Sequence, residues 1–291
     1  MNAKIKIIGL AICTAALVFF SQGCDTYIVD RNPYYYDSGG GYSPVTPPRP
    51  TNVRSVTGDR RVYLYWTPVS FSGFDGYAIY RGASPTGYYD YIGSTYSASF
   101  TDVGLTNGIT YYYAVATYDI YGNESELSRD IVHDTPRPEG HSYYLWASEY
   151  YYYDGGFDFS RAGVVPWDHP SCDVFFGHDD LGYYLCAANN YTDIMDYGPA
   201  VNLHAIDVAP EYGWSATADV DAIVGHIYVI WTADNHFAAL HIRDISGDRM
   251  VFDWAYQTAQ GNPELRPSRA IIERRENRPI TRGLRLASQG E

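Results

Sequence analysis

Short apolar runs with a strict two-residue alternation dominate residues 53–128. In the run Val62-Tyr-Leu-Tyr-Trp66, the side chains of Val62, Leu64 and Trp66 fall on one face of an extended strand. Tyr77 begins a second run with the same spacing. Gly, Asn, Ser and Asp interrupt the runs, as they do in turns between antiparallel strands. The pattern predicts short antiparallel strands with one buried face, in which Trp66 and Tyr77 are the largest core side chains.

Residues 51–136 as a whole resemble a fibronectin type III domain. The segment Leu105-Thr-Asn-Gly-Ile-Thr-Tyr111 is similar to the tyrosine corner of that family, in which a tyrosine hydroxyl bonds to the backbone a few residues upstream. The resemblance implies that Tyr111 is the corner residue, with Tyr113 as the alternative. Asn107 stands where the family often has Pro, and Asn-Gly also suits a turn with positive φ. The implied fold is an immunoglobulin-like β-sandwich of two antiparallel sheets.

The N-terminus has the layout of an export signal. Two lysines precede an apolar run at residues 7–20, which is shorter than the roughly 20 residues of a membrane-spanning helix. The following Ser-Gln-Gly-Cys24 resembles a bacterial lipoprotein box, although Ser21 stands where that family usually has Leu. The resemblance implies a signal peptide over residues 1–23, acylation of Cys24 and a membrane partner through the lipid anchor. Ordinary signal cleavage near Gly23 is the alternative. We therefore expect an exported, membrane-anchored lipoprotein of the bacterial cell envelope.

Composition divides the rest of the chain into four segments. Residues 24–50 are rich in Tyr, Gly and Pro and predict a flexible tether ahead of the fibronectin-like region. Pro and Gly residues within 135–140 mark the end of that region. Strand-like runs resume over residues 141–265, which predicts a second all-β domain, either a sandwich or barrel-like, of no recognised family. Residues 266–291 are basic and poor in large apolar groups, so we expect a disordered tail.

The charge balance excludes one class of partner. The chain has 34 acidic residues against 20 Lys and Arg, for a net charge of −14. Sequence-independent binding of nucleic acid requires a basic surface. A nucleic-acid partner is therefore not expected.

Two cysteines lie in the second predicted domain, Cys172 and Cys186. Export to an oxidising compartment favours a disulfide between them, which would close a loop of about 15 residues. Two buried free thiols are the alternative. The runs on either side of the intervening polar loop predict two strands, so we expect the bond to stabilise the fold rather than to take part in redox chemistry.

No catalytic motif is assembled in the sequence. It has neither a Gly-x-Ser-x-Gly turn nor a phosphate-binding loop. His169 and His178 have acidic neighbours, and Asp219-Val-Asp221 resembles a fragment of a calcium loop, but none of them has the spacing of a metal site. We predict no catalytic residue, no metal ligand and no cofactor.

The chain contains 31 tyrosines, which is its clearest compositional bias. Tyrosine combines a rigid apolar ring with a hydroxyl group, which suits the recognition of sugars or proteins. The tyrosines within residues 143–153 cannot all face inward on strands of period two. We therefore predict ligand-contacting rings among Tyr143, Tyr144, Tyr150, Tyr151, Tyr152 and Tyr153. The expected partner is a glycan or another envelope protein.

Two functions agree with these features. The first is a non-catalytic envelope lipoprotein that displays a binding or structural module from the membrane. The second is a carbohydrate-active hydrolase, or its accessory carbohydrate-binding protein, with the fibronectin-like domain as a spacer. The absence of an assembled catalytic motif favours a protein that is not an enzyme.

Overall fold

The computed structural model describes residues 46–266 and the backbone of four short strands outside that range. Two of these, β1 (Tyr35–Tyr36) and β2 (Tyr42–Ser43), form an antiparallel pair. The predicted signal peptide, Cys24 and most of the predicted tail lie outside the described residues. Within residues 46–266 the only helices are two 3₁₀ turns, Tyr152–Asp154 and Leu203–Ala205. No helix in that part of the chain is long and apolar enough to cross a membrane. The predicted all-β fold class is therefore confirmed.

Residues 54–134 form a sandwich of two antiparallel sheets. Its seven strands are β3 (Arg54–Gly58), β4 (Arg61–Tyr65), β5 (Phe74–Gly82), β6 (Gly87–Thr95), β7 (Ser99–Val103), β8 (Tyr111–Asp119) and β9 (Asp130–Asp134). One sheet has the order β3-β4-β7, and the other contains β9-β8-β5-β6. This division of seven strands into three and four is that of a fibronectin type III domain, so this region has a fibronectin type III-like fold.

The alternating residues of β4 and β5 build the core between these two sheets. Val62 and Leu64 are fully buried, and Trp66 is 6% exposed. Trp66 packs edge-on against Tyr77, with their ring centroids 5.1 Å apart. The hydroxyl of Tyr77 accepts a hydrogen bond from the backbone N–H of Val69 at 2.7 Å. Each large aromatic ring is therefore buried while the polar tip of Tyr77 keeps a partner.

Tyr111 is the first residue of β8 and follows the turn that leads into it. Its hydroxyl accepts a hydrogen bond from the backbone N–H of Thr106 at 3.1 Å, which is the contact expected of a tyrosine corner. Tyr113 instead points into the core, where its hydroxyl donates to Asp102 at 3.0 Å. Asp102 also accepts a hydrogen bond from Arg81 at 2.9 Å. The corner contact therefore belongs to Tyr111, and Tyr113 has a separate role in the core.

Residues 139–257 form a second sandwich. Its ten strands are β10 (Glu139–Trp146), β11 (Gly156–Asp158), β12 (Gly163–Val165), β13 (Val174–Asp179), β14 (Gly182–Ala187), β15 (Asp193–Pro199), β16 (Asp219–Asp221), β17 (His226–Trp231), β18 (Phe237–Ser246) and β19 (Arg249–Gln257). They form two five-stranded antiparallel sheets, in the orders β10-β19-β18-β17-β15 and β12-β11-β13-β14-β16. The second all-β domain is thus a sandwich rather than a closed barrel.

The sheet that contains β17, β18 and β19 is buried on both faces near its centre. Tyr228 and Ile230 face inward into the core between the two sheets. Ile227 and Val229 face outward, where residues of the loop between β15 and β16 cover them. A strand that is buried on both faces has a continuous apolar run, as the sequence of β17 does.

Two short strands beyond the second sandwich pair with the first. The strand β20 (Ile272–Glu273) lies antiparallel to β9, and β21 (Ile280–Arg282) lies parallel to β6. They extend the four-stranded sheet at its two edges.

The connection between the two sandwiches is buried, and we call residues 133–139 the joint. Both sandwiches lie in one compact unit of the chain. Arg137 has no exposed surface, and its guanidinium donates to the backbone carbonyl of Leu265 and to the carboxylate of Glu139. His133 contacts Glu264 at 3.1 Å. Because Glu264 and Leu265 follow the second sandwich and His133 ends the first, these contacts hold the two sandwiches together.

Asp134 is a buried carboxyl group within the joint. Burial raises its pKa to about 7, although hydrogen bonds from Thr57 and Ser55 favour the ionised form. The hydroxyl of Thr57 donates to Asp134 at 2.5 Å. At His133, the hydrogen bond to Glu264 raises the pKa above its ordinary value, and partial burial opposes that shift. The joint therefore contains two titratable groups whose pKa values are both raised, and that of Asp134 lies near neutral pH.

We expect Asp134→Asn to flatten the dependence of folding stability on pH. The pKa of Asp134 is higher in the folded chain than in the unfolded chain, so its stabilising contribution is complete below about pH 4 and is lost as pH rises towards 7. The free energy of unfolding of the unsubstituted protein should fall over this interval by at most about 1.4 kcal/mol per pH unit from this group.

Denaturant unfolding at several pH values between 4 and 8 measures this difference. The exposed Asp180→Asn is the matched control and should leave the slope unchanged. A variant slope equal to that of the unsubstituted protein would contradict the assignment of Asp134.

Candidate functional site

A cluster of aromatic side chains is exposed where β10 ends. Tyr144 and Trp146 occupy alternate positions of β10, and both face away from the core because Leu145 between them is fully buried. The ring of Trp146 lies 6.5 Å from that of Tyr144 at 83°, and 4.7 Å from that of Tyr151 at 39°. The distal aromatic surface, as we name it, comprises Tyr144, Trp146, Tyr150, Tyr151, Tyr152 and Tyr153.

The tyrosines of this surface are well exposed to solvent. Tyr150 and Tyr153 are 66% and 73% exposed, and Tyr152 packs edge-on against Tyr153 at 4.9 Å. Tyr143 does not join them, which corrects its prediction as a ligand contact. Period-two alternation turns Tyr143 to the opposite face from Tyr144, where its ring packs edge-on against Trp254 at 5.7 Å.

Backbone hydrogen bonds fix the loop that carries the surface. The N–H of Ala147 donates to the carbonyl of Asp248 at 2.7 Å, in the turn between β18 and β19. The N–H of Ser148 donates to Phe176 on β13 at 2.9 Å. The N–H of Tyr151 returns to the carbonyl of Ala147 at 3.0 Å. The loop is therefore attached to both sheets of the sandwich, so its exposed rings are held on a rigid support.

Polar side chains surround the rings. His178 lies beneath Tyr150, with ring centroids 5.5 Å apart, and its Nε2 contacts Asp248 at 3.0 Å. Glu149 accepts a hydrogen bond from the hydroxyl of Tyr184. A Cβ at Gly177 would crowd the Glu149 carboxylate and the Tyr184 ring, so a side chain there would displace this pair. The groups around the rings are thus hydrogen-bond acceptors, and donors that already have a hydrogen-bond partner.

A second aromatic pair stands next to this rim. Trp167 is 38% exposed, and its ring lies 5.6 Å from that of Phe175. The N–H of Trp167 donates to the carbonyl of Tyr152 at 3.3 Å. A hydrogen bond to Asp168 raises the pKa of Tyr152. The loop that contains Trp167 is therefore joined to the distal aromatic surface.

The remaining sequence candidates are dispersed. The Nδ1 of His169 contacts the hydroxyl of Ser171, two residues away, at 2.9 Å. Asp219 and Asp221 lie on β16, far along the chain from the histidines. Among residues 46–266, no three His, Cys, Asp or Glu side chains are grouped so that they could hold a metal ion.

The predicted disulfide is wrong in this structure, in which both thiols are free. Cys186 lies opposite Phe175 on β13, whereas Cys172 lies three residues before Phe175. Three extended residues span about 10 Å, more than the roughly 7 Å between Cα atoms that a disulfide tolerates. The thiol of Cys172 donates instead to the carbonyl of Val174 at 3.2 Å.

Sequence reasoning missed Trp146. The available signal was its position two residues after Tyr144, which puts both rings on one face of an extended strand. The packing of Trp146 against Tyr151 was not readable in this way, because it depends on the turn at residues 147–150. The arrangement of ring faces beside hydrogen-bonding groups suits a neutral ligand that has both apolar faces and hydroxyl groups.

Comparison with known proteins finds short regions of similarity, and no family model matches the chain. An amylopullulanase from Thermoanaerobacterium saccharolyticum is 38% identical over 96 residues, which are 33% of this chain and 7% of that enzyme. Exoglucanase B from Cellulomonas fimi is 36% identical over 97 residues, which are 32% of this chain and 8% of that enzyme. The chain therefore matches only a small part of each relative, and the matched length is that of one fibronectin type III-like domain.

Two solved structures align with a similar share of the chain. A Fn3-like protein from Clostridium thermocellum has 27% identity and a TM-score of 0.26, and the match covers 31% of this chain and 90% of that one. The fibronectin type III domain of human fibronectin type III domain containing protein 3 has 21% identity and a TM-score of 0.27, with 34% and 92% covered.

The free thiols lead to a labelling prediction. Burial raises the pKa of both Cys172 and Cys186 to about 12, so at neutral pH both are protonated and slow to react in the folded chain. Protein that is unfolded without reductant should take up one iodoacetamide group at each of these two positions. Peptide mass spectrometry measures the labelling, and a sample reduced beforehand serves as the control. A cross-linked peptide containing both cysteines would contradict the prediction.

Proposed function

We propose that this chain is an exported, lipid-anchored accessory protein that binds a carbohydrate polymer at the distal aromatic surface. The fibronectin type III-like domain acts as the spacer between the anchor and that surface. The observation that carries the proposal is the position of the exposed rings, at the end of the second sandwich farthest from the joint.

The length of β10 gives the distance between the joint and the distal aromatic surface. It begins at Glu139, which contacts Arg137 in the joint, and ends at Trp146 in the distal aromatic surface. Its eight residues span about 26 Å of extended chain. The ligand-binding rings therefore point away from the spacer, and a long polymer can approach them without meeting the first sandwich.

The chemistry of the surface favours a neutral polyhydroxyl ligand. Residues 144–154, which carry the rings, contain no Lys or Arg. Glu149, Asp248 and Asp168 add acceptors around them. The exposed Arg249 pairs with Trp146 across the sheet, but these three carboxylates and the net charge of −14 outweigh this one cation and disfavour an anionic ligand. A sugar ring instead offers an apolar face to an aromatic ring and hydroxyl groups to the rim.

The relatives support the choice of ligand class. Amylopullulanase and exoglucanase are names of enzymes that act on glucose polymers, and each shares about one domain's length with this chain. A spacer module common to such enzymes agrees with a carbohydrate partner. A match of that length that coincides with the fibronectin type III-like domain does not include the distal aromatic surface. The proposal of carbohydrate binding therefore rests on the geometry of the second sandwich.

Removal of either of the packed rings should weaken carbohydrate binding. We expect Trp146→Ala and Tyr151→Ala each to weaken the binding of a soluble glucan at least about tenfold, because central aromatic contacts carry much of the free energy of binding. Affinity electrophoresis in gels containing amylopectin, pullulan or barley β-glucan measures the effect.

The matched control is Tyr88→Ala, which removes a ring that is 56% exposed on the first sandwich. It should bind like the unsubstituted protein. The distal site would be refuted if Trp146→Ala and the unsubstituted protein were retarded equally in every gel that retards one of them. It would also be refuted if no gel retarded the unsubstituted protein.

The anchor is tested separately. Cys24 lies outside the described residues, and the proposal of its acylation rests on the Ser-Gln-Gly-Cys24 sequence after the apolar run. In a bacterial host that processes lipoproteins, Cys24→Ser should move the protein from the membrane fraction to the soluble fraction. Retention of the variant in membranes at the level of the unsubstituted protein would disprove the lipid anchor.

A further inference from the structure

A second set of aromatic rings is exposed at the opposite end of the same five-stranded sheet. Trp231 ends β17 and is 38% exposed. Its ring stacks on Phe237 at 5.3 Å and 23°, and lies 6.0 Å from Trp214. We name Trp214 and Trp231, with the buried Phe237 beneath them, the proximal aromatic surface, since the turn after Trp231 lies at the end of the sandwich that is nearer the joint.

The orientation of the central ring is fixed. The indole N–H of Trp231 donates to the side-chain oxygen of Asn235 at 2.9 Å. Asn235 is itself held in the turn, since its N–H donates to Thr232 at 2.9 Å and its carbonyl accepts from Gly261 at 2.7 Å. Phe237 is buried beneath the stack. Trp231 is therefore an exposed ring on a rigid base, and its indole nitrogen is already satisfied.

Further rings lie in the chain segments on either side. Trp231 is paired across the sheet with Asp193, and Tyr191, two residues before it, is 82% exposed. Tyr212 precedes Trp214 by two residues and is 81% exposed. Large aromatic side chains in such numbers on a water-exposed face indicate a binding surface rather than a core.

Charge limits the class of ligand. The segments that form this surface, residues 191–197, 211–215 and 231–237, contain no Lys or Arg and four acidic side chains. Phosphate groups and acidic polysaccharides therefore have no cation to bind here. The acceptors of Asp193 and Asn235 beside a flat indole match a neutral sugar, as at the distal aromatic surface.

The two surfaces share one face of the sheet. Tyr144 and Trp146 face outward from β10, and Trp231 faces outward together with Ile227 and Val229. The strand β18 begins opposite Trp231 and ends two residues before Asp248, and its ten residues span about 33 Å. An oligosaccharide of a few units can occupy either surface, whereas only a polymer can reach both.

We propose that the proximal aromatic surface is a second carbohydrate subsite, which makes the domain bivalent towards one polymer chain. This inference rests on the proposed function, because it assigns the same ligand class to a second location. Simultaneous contact at two sites on a rigid sheet raises the apparent affinity for polymer over that for a short oligosaccharide.

Titration calorimetry of the full mature chain with maltohexaose and cellohexaose tests the inference by stoichiometry. We expect two hexasaccharides per chain for the unsubstituted protein, and one for Trp231→Ala and for Trp146→Ala. The apparent affinity for pullulan or barley β-glucan should fall about tenfold or more in Trp231→Ala. Thermal melting of each variant checks that the fold is retained.

Asn235→Gly is a second variant that leaves Trp231 in place. Asn235 has a φ of 65°, a conformation that Gly adopts without strain, so the substitution removes only the acceptor of the indole N–H. We expect weaker binding at one of the two sites and unchanged binding at the other. Two sites of unchanged affinity would overturn the role of Trp231.

The remaining outcomes separate this inference from the proposed function. One hexasaccharide per chain, lost in Trp146→Ala and kept in Trp231→Ala, would overturn the proximal subsite alone. One hexasaccharide lost only in Trp231→Ala would support the proximal subsite and overturn the distal one. No binding to any probe would overturn both. A dimer that becomes a monomer in Trp231→Ala, with unchanged stoichiometry, would make the surface a contact between copies of this chain and overturn the subsite.

Discussion

The buried guanidinium of Arg137 is the constraint on which the arrangement of the two sandwiches depends. It is fully enclosed, and burial lowers its pKa to about 10, although Glu139 and Asp134 favour the charged form. A buried cation is costly unless partners surround it, and loss of one partner leaves the charge uncompensated. The carbonyl of Leu265 and the carboxylate of Glu139 are those partners. Because Leu265 follows the second sandwich, the Nε of Arg137 keeps this partner only while the sandwiches stay in contact, and Nη2 is buried without a hydrogen-bond partner among the described residues.

Tyrosine serves three different purposes in this chain. Tyr77 is a core residue whose hydroxyl binds a backbone amide, so the ring is buried without loss of a hydrogen bond. Tyr111 uses the same hydroxyl to fix a turn. Tyr150 and Tyr153 leave their rings in solvent, on a loop attached to both sheets. The bias in composition is therefore partly structural, and only the rings outside the core are available to a ligand.

Features that follow from the pattern of a single strand could be predicted from the sequence. Features that depend on the register between strands, or on contacts between domains, could not. The alternation of Val62, Leu64 and Trp66 is a property of one strand, and it predicts the first sandwich correctly. The joint could not be predicted, since a Thr-Pro-Arg-Pro sequence is typical of an exposed linker, and only residues of another domain can bury it. The prediction of a disulfide failed for a related reason. A three-residue offset between Cys172 and the partner of Cys186 depends on the pairing of β13 with β14, which local composition does not encode.

The two aromatic surfaces were also only partly predictable from the sequence. Period-two alternation separates Tyr144 from Tyr143, although it does not say which of the two faces solvent. The contact of Trp214 with Trp231 joins positions that are distant in sequence, and it forms only because the loop between β15 and β16 folds back over the outer face of the sheet. Sites of this kind become visible only when the loop is placed.

The direction of β10 has a mechanical consequence. Under the proposed function, tension between the anchor and a bound polymer would pass along β10, because β10 connects the joint to the loop that carries the rings. Because β10 is already extended, its covalent backbone carries that load, and its six paired positions along β19 hold the strand in the sheet. In that proposal, the strand that sets the reach of the protein also resists its extension by a moving polymer.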